Sequence, residues 1–175
     1  MVQGHGRGGV DQALDLQLPL SWIKSQERLE KAEMLLQNIT GIKPVKTYTK
    51  KRIPNWGLRP GLPIGCKLTL RSGAAIELAK TLIEAKKGHL KESWFDDEGN
   101  IAFGIHEYID IPTAKYDPKI GIMGLQVCLT LERKGFRVKR RRMKPHFIPK
   151  RHRITRDESV EFMKKNFNVS LGEAR

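Results

Sequence analysis

Apolar residues recur every three or four positions between Gln26 and Ile39, where Leu29, Ala32, Leu36 and Ile39 share one helical face. Ser25 precedes this run as an N-cap and Thr40-Gly41 follows it as a glycine stop. The period then changes. Val45–Thr49 reads as a short strand, and KKRIPNWGLRPGLP after it reads as a loop punctuated by Pro and Gly. In IGCKLTLR, Ile64, Cys66, Leu68 and Leu70 alternate with Gly65, Lys67, Thr69 and Arg71. A period of two predicts a strand with one face in the core and the other small, polar and cationic.

A second helix is expected over Ala74–Lys87, with Ile76, Ala79, Leu82 and Ile83 turned inward and Gly88 as its stop. DDEGN at 96–100 is a turn, and Phe103–Ile111 reads as a strand ended by Pro112. Leu125, Val127, Leu129 and Leu131 alternate with Gln126, Cys128, Thr130 and Glu132 in a further strand. Thr155 and Glu158 have the spacing of a capping box, opening a last helix with Val160, Met163 and Phe167 on one side. No internal repeat is visible. This order predicts an α+β fold: a largely antiparallel open sheet with helices packed on one face, the other face left for a partner.

Composition narrows the class. A chain of 175 residues, 39% hydrophobic and 30% charged, is long enough for one domain with a real core. No apolar run approaches the roughly 18 residues of a membrane span, and MVQGHGRGGV lacks the apolar stretch of a signal peptide. Cys66 and Cys128 form no metal-binding pattern and read as two thiols inside strands of a protein in a reducing cytosol. Gly4, Gly6 and Gly9 satisfy GxGxxG by spacing. No strand precedes them and no helix opens from them, so the dinucleotide reading fails and a flexible terminus is expected.

Charge changes the picture most. The net charge is +14, but it is not spread evenly. Met34–Ile76 has eight basic residues and no acid; Arg133–Arg156 has twelve basic residues and no acid. The remaining 13 basic residues face all 19 acids, so the rest of the chain is mildly acidic. A merely solvated surface mixes both signs, whereas segregation of one sign points to a polyanion. Pro145 and Pro149 exclude a long amphipathic basic helix in the richer segment, which argues for nucleic acid over a membrane surface. Trp56, Tyr48 and Phe147 lie among these cations and could stack on bases or ribose; for Trp56 a loop anchor packed on the domain is an equal alternative.

Catalysis is not supported. His106 and Glu107 are neighbours on an expected strand and would point to opposite faces. His89 stands alone, and Asp96-Asp97-Glu98 sits in a solvated turn. No nucleophile–base arrangement, phosphate-binding loop or HExxH is present, so no metal, cofactor or small-molecule substrate is expected.

TGIKPVKTYTKKRIPNWGLRPGLPIGCKLTLR, GNIAFGIHEYIDIPTAKYDPKIGIMGLQVCLTLERKGFRV and KRHRIT before a helix together resemble the universal large-ribosomal-subunit protein five family, in its archaeal and eukaryotic branch. The resemblance covers residues 25–168 as one domain, between an atypical segment 1–24 and a tail 169–175. It implies a cytoplasmic ribosomal protein of the central protuberance. It further implies contacts with 5S and 23S ribosomal RNA, P-site transfer RNA, neighbouring large-subunit proteins and a small-subunit bridge protein. The implied ribosomal RNA contacts are Lys46, Tyr48, Lys50, Lys51, Arg52, Lys67, Thr69 and Arg71. The basic segment adds Arg137, Lys139, Arg140, Arg141, Arg142, Lys144, Lys150, Arg151, His152 and Arg153. The implied transfer-RNA loop holds Asn55, Trp56, Leu58, Arg59 and Gly61. An RNA chaperone or processing factor acting outside the ribosome is the alternative.

Two departures matter. The family's first strand, of the form KVVVNIGVGE, is replaced by DQALDLQLPLSWIK, so either the sheet loses a strand or this terminus is an altered reading of the gene, and the RNA-contacting Asn of that strand is not assigned here. Gln126 replaces the Asp of the family's GxDV, and that contact does not carry over. The basic segment, flanked by a strand and a capped helix, is expected to be at most partly ordered until RNA fixes it.

Overall fold

The computed structural model describes residues 13–21, 26–71 and 73–172. The GHGRGG stretch and the Ser25 cap lie outside them. Helix α1 (Gln26–Thr40) buries Leu29, Ala32, Leu35 and Leu36, the stripe that its period of three and four creates. It ends where Gly41 takes a left-handed φ of 71° and donates its N–H to the Gln37 carbonyl. Helix α2 (Gly73–Glu84) buries Ala75, Ala79, Leu82 and Ile83. It stops three residues before the expected Lys87, because the chain turns over at Lys87 and Gly88, both with positive φ. Helix α4 (Arg156–Phe167) opens on the anticipated capping box: the Glu158 N–H donates to the Thr155 hydroxyl and the Thr155 N–H to the Glu158 carboxylate. Met163 is fully buried, and Val160 and Phe167 pack on the same core.

The sheet has five strands in the order β2–β3–β1–β6–β5, all antiparallel neighbours. They are β1 (Ala13–Ser21), β2 (Val45–Tyr48), β3 (Pro63–Leu70), β5 (Asn100–Ile105) and β6 (Leu125–Glu132). This is the expected α+β arrangement. Of the two alternatives for this terminus, the lost strand is excluded, because β1 lies at the centre, joining β3 to β6. ALDLQLPLS carries its own period of two, and Leu18, which faces Leu68 in register, is fully buried. Pairing of β1 with β6 ends at Gln17, so Pro19 falls where the strand has one neighbour and a missing N–H is tolerated.

Three further details differ from expectation. β5 begins at Asn100 and ends at Ile105, because its partner β6 begins at Leu125 opposite Ile105. The chain then bends through His106, outside any strand, into a short turn that buries Tyr108. The Tyr108 hydroxyl accepts the Asp117 N–H at 3.0 Å and fixes the following loop. The tail contributes β7 (Ser170–Gly172), a parallel partner of β4 (His89–Lys91). Finally, the basic segment contains a one-turn helix, α3 (Arg137–Arg140).

Backbone crowding at the β5–β6 corner yields a stability prediction. A Cβ on Gly124 would lie 2.7 Å from the His106 carbonyl oxygen and 2.9 Å from that of Ile105. Backbone cannot rotate away as a side chain can, so Gly124→Ala is expected to destabilise the fold by about 1–3 kcal/mol. A denaturant midpoint equal to that of the unsubstituted protein would contradict this packing.

Candidate nucleic-acid interface

The helices cover the sheet face that carries Cys66, Leu68, Leu70, Val127 and Leu129, all buried. The opposite face is open. Its register aligns Thr69, Gln17, Cys128 and Ala102 in one row across four strands. Gly104 stands opposite Gln126 and Asn100 opposite Thr130 on the same surface. The floor is therefore made of short side chains, and a large polyanion can approach it closely. Lys67, Thr69 and Arg71 are exposed along the β3 side, as the alternation predicted.

Lys46 is placed differently from its basic neighbours. It pairs in register with Cys66, on the helix-covered face, and its ammonium lies 3.2 Å from the Glu33 carboxylate on α1. Val45 takes the position on the open face opposite Lys67. Burial pushes the Cys66 thiol up to about 11; Glu33 adds to the rise and Lys46 offsets part of it. Burial also raises the Cys128 thiol. Both sulfurs are free cysteines and stay protonated at neutral pH.

The loop between β2 and β3 is an ordered extension of their hairpin. Thr49 and Leu62 pair at 2.9 Å, Gly61 donates to the Thr49 carbonyl, and the Thr49 hydroxyl bonds to the Arg59 carbonyl. Farther out, Ile53 pairs with Leu58 around the Pro54–Trp56 turn, closed by Gly57 in a left-handed conformation. These bonds bring Tyr48, Lys50, Lys51 and Arg52 on one arm close to Arg59 and Gly61 on the other. Asn55 and Trp56 stand at the tip, both exposed. With 52% of its surface exposed, Trp56 presents a face to solvent.

The basic segment is folded. The His152 ring nitrogen Nε2 lies 3.0 Å from the Lys134 carbonyl oxygen, and the His152 ring packs on Phe136, so the two ends of the segment meet. The His146 N–H donates to the Val138 carbonyl, Arg141 Nε donates to the Lys144 carbonyl, and Ile148 is buried. Among the described residues, four ion pairs latch the segment to the domain. Arg133 forms two bonds with Glu158, at 2.8 and 2.7 Å. Arg140 holds Glu132, Arg153 holds Glu98, and Arg156 lies 3.7 Å from the Glu92 carboxylate.

These latches divide the predicted cations. Arg140, Arg153 and His152 are engaged within the protein. Arg137, Lys139, Arg141, Arg142, Lys144, Lys150 and Arg151 are exposed and form no ion pair among the described residues. Because Glu132 belongs to the open face and holds Arg140, the segment abuts that face at its β6 end. Cations thus border the floor on two sides, from β3 and from the basic segment. Closely spaced fixed charges beside a flat polar floor suit the phosphate backbone of folded RNA.

The candidate catalytic groups do not converge. Asp96 accepts from Asn100 Nδ2 and from the Asp97 N–H, and Glu98 serves Arg153. His89 Nδ1 lies 2.6 Å from the Ser170 hydroxyl on β7, and His106 is exposed on its own bend. Among the described residues no cluster of His, Cys, Asp or Glu could hold a metal ion, and no helix is long and apolar enough to cross a membrane.

Comparisons with known proteins meet this geometry. Residues 23–59 match the family model described as ribosomal protein L5, and residues 63–162 match the model described as the C-terminus of the same ribosomal family. The chain is 49% identical to the large ribosomal subunit protein uL5 of Sulfolobus acidocaldarius, over 86% of this chain and 84% of that protein. It is 51% identical to the protein of the same name from Sulfurisphaera tokodaii, over 84% of each. Against that of Nanoarchaeum equitans the identity is 46%, over 85% of this chain and 88% of the relative.

Proposed function

The chain belongs to the ribosomal protein L5 family, in its archaeal form, and from that premise we propose that it binds 5S ribosomal RNA through the open sheet face and the cations bordering it. It is a structural constituent of the large ribosomal subunit, not an enzyme, and works in the cytoplasm as part of the ribosome. The observation that carries the 5S reading is the segregated charge: exposed Lys67, Arg71 and the basic segment frame a floor of uncharged, mostly short side chains. In this reading Thr69 and Lys67 contact 5S RNA from β3, with Arg71 and the Tyr48–Arg52 arm beside them. The basic segment lies along 23S ribosomal RNA. The loop Asn55–Pro63 reaches P-site transfer RNA with Arg59 as its cation, and neighbouring large-subunit proteins and a small-subunit bridge protein complete the contacts. Binding proceeds by counterion release and shape recognition.

Paired substitution tests this arrangement. Lys67→Ala with Arg71→Ala is expected to weaken 5S RNA binding and to flatten its salt dependence by about 0.7–0.9 log units per lost phosphate contact. Arg59→Ala is expected to leave 5S binding intact and to impair a step that depends on transfer RNA. If the double variant binds 5S RNA normally, the open face of β3 is the wrong surface.

A further inference from the structure

Phe147 is unusual for a phenylalanine in a folded segment: 84% of its surface is exposed. Its neighbours hold it there. The His146 N–H is bonded to the Val138 carbonyl, Ile148 is buried, and Pro145 and Pro149 flank the turn. The backbone is thus fixed on both sides of a ring that packs on little. A single exposed apolar side chain is ordinary by itself, but Phe147 is also one of the residues that line a cavity.

That cavity, of about 110 Å³, lies between the basic segment and the open sheet face. At about 30 Å³ of liquid volume per water it holds several waters, and it is on the scale of a single nucleobase. Its lining includes the aromatic residues Phe136 and Phe147, the apolar Ile148, and the polar Asn100 and Thr130. Lys139 and Arg153 also line it. Two carboxylates lie at the cavity, Glu98 and Glu132, and each is bonded to an arginine, so the slot is not left anionic. An aromatic wall, hydrogen-bonding edges and cations for the flanking phosphates are the parts that receive a base turned out of a strand.

We propose that this cavity is a slot for one unpaired RNA base, stacked on Phe147, with Lys139 on the adjoining phosphate. The proposal rests on the RNA-binding reading and adds a preference to it: the basic segment grips a single-stranded or bulged nucleotide there, beyond attracting RNA by charge. Stacking of this kind is tolerant of base identity, since every base has a flat apolar face.

Two probes separate the slot from general charge attraction: an oligouridylate dodecamer and an RNA duplex of the same length. With the full chain, Phe147→Ala is expected to weaken the single strand by at least about five-fold, the lower end for loss of one base–aromatic stack. Duplex affinity is expected to stay unchanged, and Phe147→Trp to restore single-strand binding. A dodecamer carrying one 4-thiouridine is expected to crosslink to the peptide containing Phe147. Equal affinity of Phe147→Ala and the unsubstituted chain for the single strand would overturn the slot alone. Equal weakening of both probes would also overturn it, by reducing Phe147 to a structural role. If the unsubstituted chain bound 5S RNA but neither probe, the slot would fall and the RNA-binding reading would stand; if it bound none of the three, both would fall.

Discussion

Replacing Arg137, Arg142, Lys150 and Arg151 together by Gln is expected to weaken ribosomal RNA binding by roughly a thousand-fold at 0.1 M salt. The estimate follows from counterion release, which at that concentration contributes about 1 kcal/mol per neutralised phosphate. The slope of log affinity against log salt should fall by about three units, since each lost phosphate contact removes 0.7–0.9. These four side chains are exposed and outside the latches, so the fold should survive their neutralisation. Arg140 and Arg153 belong to another class. Removing Arg140 takes away the ion pair at the buried Glu132 carboxylate, which should loosen the segment and lower stability before it alters any direct RNA contact. A quadruple variant that kept both affinity and salt slope would show that the segment does not touch the RNA.

The second large effect concerns stability. Leu18→Asp is expected to leave the chain largely unfolded at ambient temperature, as measured by far-ultraviolet circular dichroism and denaturant titration. Leu18 is fully buried, on the strand that joins the two halves of the sheet. A carboxylate there has neither solvent nor a basic partner nearby in register, where Leu68 stands. The cost is on the order of 4 kcal/mol or more, against a total stability of about 5–15 kcal/mol for a domain of this kind. If β1 were a dispensable terminal segment, the substitution would leave the unfolding midpoint unchanged.

That contrast marks where the sequence was readable. Periodicity sufficed for α1, β3 and β6, whose apolar positions recur over seven residues or more, and spacing sufficed for the Thr155–Glu158 cap. In β1 the alternation of Leu14, Leu16 and Leu18 with Asp15 and Gln17 is present but short, and the segment does not match the apolar strand of the family. Pro19 also argues against a central strand until the register shows that β6 pairing has already ended there. β7 is three residues long and takes its stability from a parallel partner far back in the chain, so no local pattern announces it.

The candidate site shows the same division. Charge segregation made both cationic segments visible at once. What it could not show is which cations are engaged inside the protein. Arg153 meets Glu98 and Arg156 meets Glu92 across more than fifty residues of sequence, so only the folded chain brings them together. Lys46 and Lys67 looked alike as strand lysines, and register alone sends one toward Glu33 and the other to the open face. The latches, the buried Ile148 and the closure of His152 on Lys134 also replace the expected partly ordered segment with a shaped one. A binding surface set before RNA arrives loses less conformational entropy on association.

The most direct test of the account is the RNA recovered with the full chain after crosslinking in its own cells, followed by sedimentation and sequencing. The account predicts 5S and large-subunit ribosomal RNA, with the protein equimolar to large-subunit particles. A chain that sedimented free of those particles, with messenger or other RNA and no 5S enrichment, would contradict it.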